Sequence, residues 1–175
     1  MIETERLHLR RWHSDDAPAH RALVTDPRVV ATLGGPPPLG RSAEVIYRQN
    51  RFADETETCF WAVEHRATAA FIGWCGVKPG PDATPIAGLP EIGWTLAPAW
   101  WGQGLALEAA VAALAHAWTL GHPRIVAITT PGNARSWGLM ERLGMHRLTD
   151  GDFDHPALAA DDPLRRHITY AIDRP

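Results

Sequence analysis

The 175-residue sequence has little cysteine: Cys59 and Cys75 are its only two. Two thiols cannot build a disulfide framework or a four-ligand zinc site, so free, packed thiols in a reducing cytoplasm are expected. No apolar run approaches the roughly 18 residues that a membrane span needs, and the opening Ile2-Glu3-Thr4-Glu5 is unlike a signal peptide. Positive charge is not in surplus either, since 17 basic against 20 acidic residues leave a formal charge of −3. That argues against the basic stripe of a dedicated nucleic-acid binder. Nine histidines are present, yet none falls in a spacing such as His-x-x-x-His with a third partner, so no metal site is expected. Internal repeats, low-complexity tracts and interdomain linkers are also missing. One domain over residues 1–175 is the expectation, cytoplasmic and without a membrane or nucleic-acid partner.

What is there in quantity is tryptophan, 8 residues, and proline, 15. Eight large indoles favour broad clefts or sheet faces, and the prolines at 36–38 and 79–90 limit the entropy of long connections. With 45% apolar residues the chain can bury a sizeable core.

Periodicity predicts the elements. Residues 6–12 alternate like a half-buried strand. Ser14-Asp15-Asp16-Ala17-Pro18 reads as a helix start with Ser14 as cap, the helix ending before Asp26-Pro27. A loop over 34–40 leads to a helix from 42 to about 52. Strands at 60–64 and 70–77 flank a turn at 66–69, an antiparallel pair that would bring the two cysteines near each other. A strand at 91–96 follows. Residues 105–120 form a long helix, polar only at Glu108, His116 and Thr119, and Gly121 and Pro123 end it. Its apolar surface fits either sheet packing or a homodimer contact, with His116 a satisfied core or interface residue. After a strand at 124–130, Asn133 caps a helix running to Leu143, and 145–148 and 167–172 are the last two strands. The order is that of an α/β chain with a mixed sheet.

The most informative stretch is Trp94-Thr95-Leu96-Ala97-Pro98-Ala99-Trp100-Trp101-Gly102-Gln103-Gly104-Leu105-Ala106-Leu107-Glu108. A strand ends, glycines turn the chain, and a long helix begins. Free N–H groups and a helix dipole then converge on one spot, a ready phosphate site, and glycines at 102 and 104 let the backbone approach an anion. The plainer reading is a strand-to-helix turn whose glycines serve packing. Two similar signals fail. Gly35-Pro36-Pro37-Pro38-Leu39-Gly40-Arg41-Ser42 nearly spells a nucleotide phosphate loop, but three prolines remove three donors. Gly102-x-Gly104 could open a dinucleotide fingerprint, but Leu107 stands at its third glycine place.

The stretch resembles the acyl-CoA motif of the GCN5-related N-acetyltransferases (GNAT), whose consensus is Arg or Gln, two residues, Gly, one residue, then Gly or Ala. Gly104 and Ala106 hold the second and third places, and Trp101 stands where Arg or Gln is usual. Asn133-Ala134-Arg135-Ser136-Trp137-Gly138-Leu139-Met140-Glu141-Arg142-Leu143-Gly144-Met145 is similar to the family's second CoA-contacting helix. The opening Thr4-Glu5-Arg6-Leu7-His8-Leu9-Arg10 and the closing His167-Ile168-Thr169-Tyr170 look like the ribosomal-protein N-acetyltransferase (RimJ/RimL-type) branch. The resemblance implies a mixed, mostly antiparallel central sheet, splayed after its fourth strand at 91–96 and flanked by about four helices. It implies acetyl-CoA as acetyl donor, contacted by Leu96, Trp101, Gly102, Gln103, Gly104, Leu105, Ala106, Asn133 and Ser136. The acceptor it implies is a primary amine, either a protein N-terminal α-amine or a small molecule.

Amine acetylation needs a base for the ammonium, donors for the oxyanion and a proton for the departing thiolate. By alternation Glu91, Gly93 and Thr95 share one strand face. Glu91 looks like the family's general base acting through water, or else is a strand-end charge. A backbone N–H near Leu96 is the expected oxyanion donor. Ser136 matches the serine that the branch uses to protonate the thiolate, or else satisfies its own helix. Tyr170 is late in the chain and reads as structural, while Met140 holds roughly the place of the tyrosine that many relatives carry. Phe153-Asp154-His155-Pro156 is a loop turn that could border the acceptor. The alternative of another class is a CoA-binding regulatory or scaffold module of the same fold without catalysis.

Overall fold

The computed structural model describes residues 1–33 and 41–175. Eight strands form one sheet: β1 (Ile2–Glu3), β2 (Leu7–Arg10), β3 (Phe60–His65), β4 (Ala70–Pro79), β5 (Pro90–Leu96), β6 (Arg124–Thr129), β7 (His146–Asp154) and β8 (Arg166–Asp173). Their spatial order is β1-β2-β3-β4-β5-β6-β8-β7. Five helices accompany them among the described residues: α1 (Ala17–Thr25), α2 (Pro27–Leu33), α3 (Arg41–Thr56), α4 (Leu105–Thr119) and α5 (Ala134–Arg142). The α/β class and the mostly antiparallel sheet are as the sequence implies.

Every neighbouring pair is antiparallel except β5 and β6. The β4–β5 ladder is continuous from Gly73↔Leu96 to Pro79↔Pro90, whereas the parallel β5–β6 contact registers only Glu91↔Val126. Beyond that pair the two strands part, which is the expected splay. The 91–96 strand is the fifth rather than the fourth, because Ile2 pairs with Leu9 and adds a short edge strand.

The core lies between the sheet and α4. Ala109, Ala110, Ala113 and Ala117 are buried and let that helix lie close on β4 and β5. Leu7, Leu9, Val63, Ile72, Ile92 and Ile125 fill the sheet side. Sheet packing thus uses one face of the apolar helix, and Val111, 53% exposed, marks the other. His116 is satisfied: its Nε2 lies 2.9 Å from the Glu57 carbonyl oxygen.

Four expectations need correction. Ser14 does not cap a helix. It opens a 3-10 turn, and the Asp16 carboxylate instead accepts the His13 N–H at 2.8 Å and the Arg10 guanidinium fork at 2.8 and 2.9 Å. Asp26-Pro27 is a start as well as a stop. Extended Asp26 ends α1, and its carbonyl then accepts the N–H of Val29 and Val30, opening α2 with proline at the first position. The next helix runs to Thr56 rather than 52. Finally, β7 continues to Asp154 because a register break between Leu148 and Phe153 absorbs the turn-like residues around Gly151. Of the phosphate-loop look-alike, residues 35–40 lie outside the described residues. Its last two open α3, where Ser42 Oγ meets His20 Nδ1 at 2.9 Å.

Candidate functional site

The splay is continued by two clefts, of about 540 and 570 Å³, that share Thr32, Trp94, Thr95, Asn133 and Ser136. The first is walled by the glycine turn and α4, the second by α3 and the loop after β7.

In the first cleft Gly102 and Gly104 have φ of 75° and 77°, a left-handed conformation that side chains disfavour. Gly104 is the residue from which α4 starts, and the first helical bond runs from the Glu108 N–H to its carbonyl at 3.1 Å. The N–H groups of Leu105, Ala106 and Leu107 precede that bond and have no helical acceptor. The turn is fastened from behind. The Arg6 guanidinium donates to the Gln103 carbonyl at 3.0 Å and pairs with Glu108 at 2.7 Å, and the Thr4 hydroxyl and Arg6 N–H also donate to Glu108. Burial acts to raise the Glu108 pKa, but those donors outweigh it, so the carboxyl sits below its usual range. The opening Thr4–Arg6 motif therefore staples the glycine turn to the sheet.

Leu96, Trp101, Gly102, Gly104, Leu105, Ala106, Asn133 and Ser136 all line this cleft. Gln103 does not line it: it is exposed, with its amide donating to the Ala99 carbonyl at 3.1 Å. The Trp101 indole N–H donates to the Leu96 carbonyl at 2.7 Å, and the Arg135 guanidinium lies 4.6 Å from the Trp101 ring centre. A cation thus reaches the place of the missing motif arginine from α5, a relation that only the folded chain reveals. Asn133 caps α5, its side chain accepting the Ser136 N–H at 3.3 Å. Among the described residues the Ser136 hydroxyl has no protein partner, so it does not satisfy its own helix; it faces both clefts.

In the second cleft Glu91 is buried, and its Oε2 accepts from Lys78 Nζ at 2.6 Å. Lys78, the chain's sole lysine, also donates to the Pro79 carbonyl at 3.0 Å and sits 4.8 Å over the Phe60 ring. Phe60 stacks on Trp74 at 4.7 Å and fills the space above Gly93, where a Cβ would come within 2.8 Å of the ring. Glu91 is thus an oriented, charge-matched carboxylate rather than a loose strand-end charge. The cross-strand pairing Lys78↔Glu91 was not visible from the sequence, because the length of the 79–90 connection sets it.

His155 and His167 also line this cleft, ring centres 5.0 Å apart. Burial, then the neighbouring His167, lowers the His155 pKa. Tyr170 is buried, donates to Glu141 at 3.3 Å and lines neither cleft. Both cysteines are buried free thiols, and burial raises their pKa far above the usual thiol value. Among the described residues no three His, Cys, Asp or Glu side chains are placed to hold a metal, and no helix is long and apolar enough to cross a membrane.

A sheet parted beside a glycine-opened helix, with a second cleft meeting the gap, is the arrangement that the resemblance in the sequence implies. The family model described as "Acetyltransferase (GNAT) domain" matches residues 6–146. The chain belongs to the GNAT acetyltransferase family. YkkB of Bacillus subtilis (strain 168), an uncharacterized protein, is 30% identical over 147 residues, 83% of this chain and 84% of its own. A crystal structure of an acetyltransferase from Agrobacterium tumefaciens str. C58 is 29% identical with a TM-score of 0.80, covering 99% of this chain and 94% of that one. Mycobacterium smegmatis RimJ, solved in complex with CoA-disulfide, shares the fold at 21% identity and a TM-score of 0.74, covering 95% and 81%.

Proposed function

We propose that this chain transfers the acetyl group of acetyl-CoA directly to a primary amine, either a protein N-terminal α-amine or a small-molecule amine. The observation that carries the reading is the meeting of two clefts at Trp94, Thr95 and Ser136, where β5 loses its neighbour. The residues of the first cleft fit the donor: N–H groups at 105–107 and the Arg135 guanidinium suit its phosphates. The Ala97 N–H donates to the Ile72 carbonyl across β4. By alternation the N–H groups of Trp94 and Leu96 point into the gap, where the thioester arm would lie. Leu96 N–H is our oxyanion donor.

From the second cleft, Glu91 takes the ammonium proton through water, and Lys78 keeps the carboxylate oriented. The amine lone pair forms the C–N bond, the C–S bond breaks, the thiolate takes a proton from the Ser136 hydroxyl, and the second proton shed by the new amide nitrogen returns to the Ser136 oxygen. Ser136→Ala should lower kcat at unchanged acetyl-CoA affinity; a normal rate and pH profile would leave Ser136 a structural residue. The enzyme would act in the cytoplasm, with acetyl-CoA and the amine rather than nucleic acid as partners. The Val111 face of α4 is our candidate homodimer contact, read by sedimentation.

A thermal melt with acetyl-CoA, CoA, NADH and ATP tests the donor. At 100 times Kd a ligand adds about 2.7 kcal/mol, a shift of several degrees in a domain of this size. A shift with acetyl-CoA and CoA alone supports the reading; a larger one with NADH or ATP overturns it. The commitment of Glu91 to Lys78 favours one other reading, a CoA-binding module without catalysis. Turnover of any amine removes it.

A further inference from the structure

The second cleft has an uneven charge. Among the described residues Glu91 is the one carboxylate that lines it, and Lys78 already matches it. Two further cations line the cleft, Arg41 and Arg48. They stand seven residues apart on α3, with Val45 between them on the same face, so the helix turns this pair toward the cleft. Both are exposed, and among the described residues neither has a carboxylate partner, whereas Arg51 on the same helix is paired with Glu55. Residues 34–40 contain no acidic side chain that could neutralise them. His20 lines the same cleft, and burial lowers its pKa, so it adds no lasting charge at neutral pH. The arginines do not serve the donor phosphates through the first cleft, since neither lines it.

We infer that the acceptor is an amine carrying an anionic group, a carboxylate or phosphate, which Arg41 and Arg48 hold while the amine reaches Glu91. The inference rests on the amine-transferase reading. A field of two unmatched guanidiniums disfavours an ammonium and so eases its loss of a proton; it attracts an anion and repels a polycation. Guanidinium forks suit carboxylate and phosphate oxygens alike.

The test measures initial rates with saturating acetyl-CoA on matched acceptors: the peptide amides Ala-Asp-Asp, Ala-Asn-Asn and Ala-Lys-Lys, and phosphoethanolamine beside ethanolamine. The acidic member of at least one series should exceed its neutral partner in kcat/KM by about tenfold. Which series responds tells a peptide from a small molecule. Arg48→Ala should lower the acidic-to-neutral ratio about tenfold, and Arg41→Glu with Arg48→Glu should turn the preference to Ala-Lys-Lys. Both positions are exposed, so a melt that still shifts with acetyl-CoA certifies the fold of each variant. Equal rates, a wild-type preference for neutral or basic acceptors, or an unchanged ratio in Arg48→Ala overturns the inference and leaves the transferase reading intact. No turnover with any acceptor overturns both.

Discussion

The two clefts that meet at Ser136 are made of different material. The first is built mainly of backbone: left-handed glycines, the unused N–H groups that open α4, and a carbonyl already claimed by Trp101. The second is built of side chains drawn from α3, β4, β5 and the segment after β7. Backbone recognition suits a ligand whose phosphates and amides are the same in every relative, while side chains can be changed singly to suit a new acceptor. A fold of this kind keeps its donor chemistry and varies its acceptor.

Substitutions on the two sides should therefore fail differently. The largest effect belongs to the second cleft. Glu91→Gln should lower kcat about 10²–10⁴-fold at unchanged acetyl-CoA affinity; an unchanged kcat across pH 6–9 would retire Glu91 as the base. Next comes the wall behind that cleft, where the Arg10–Asp16 pair ties α1 to β2. Asp16→Asn should cost on the order of 3 kcal/mol at neutral pH. Burial raises the Asp16 pKa, but the Arg10 fork and the His13 N–H outweigh it and leave it below its usual value. Its contribution is accordingly full above the unfolded carboxylate range and lost as pH falls through the folded pKa. Denaturant melts should show the gap between wild type and variant closing below about pH 4; a gap that persists there would assign the loss to packing.

On the donor side, Gly104→Val puts a branched side chain at φ 77° beside the anion path. It should raise KM for acetyl-CoA roughly 10–100-fold, the worth of one or two charged hydrogen bonds, while kcat at saturation falls less. A pure kcat defect would erase the division between the clefts. The smallest change is at Arg135, one of three arginines, with Arg28 and Arg142, that line the first cleft. Arg135→Ala removes the guanidinium over Trp101 and should weaken CoA binding only a few-fold, on the scale of an exposed cation–π contact. Calorimetric titration reads it, and a hundredfold loss would mean that side chains carry the donor side too.

The same division decides what could be read from the sequence. Glycines write backbone conformation directly, so the turn before α4 was legible, as were Gly121 and Asn133 at helix ends. Seven of the eight strands followed from alternation and turn residues. Elements that depend on distant partners were not legible: α2 hides in a dipeptide that also ends α1, and β7 crosses Gly151 only because β8 lies beside it. Residues far apart in sequence joined for reasons no local pattern carries. Lys78 meets Glu91 through strand register, Arg135 reaches Trp101 from another helix, and Arg6 closes on Glu108 across 102 residues. The second cleft is made almost wholly of such meetings.

The donor should enter where β5 and β6 part. Amide hydrogen exchange with and without CoA tests it most directly. Exchange should slow in peptides covering 92–107 and 133–139, with smaller change in α3 over 41–56. Slowing confined to α3 and the segment after β7, with none at 92–107, would contradict the account.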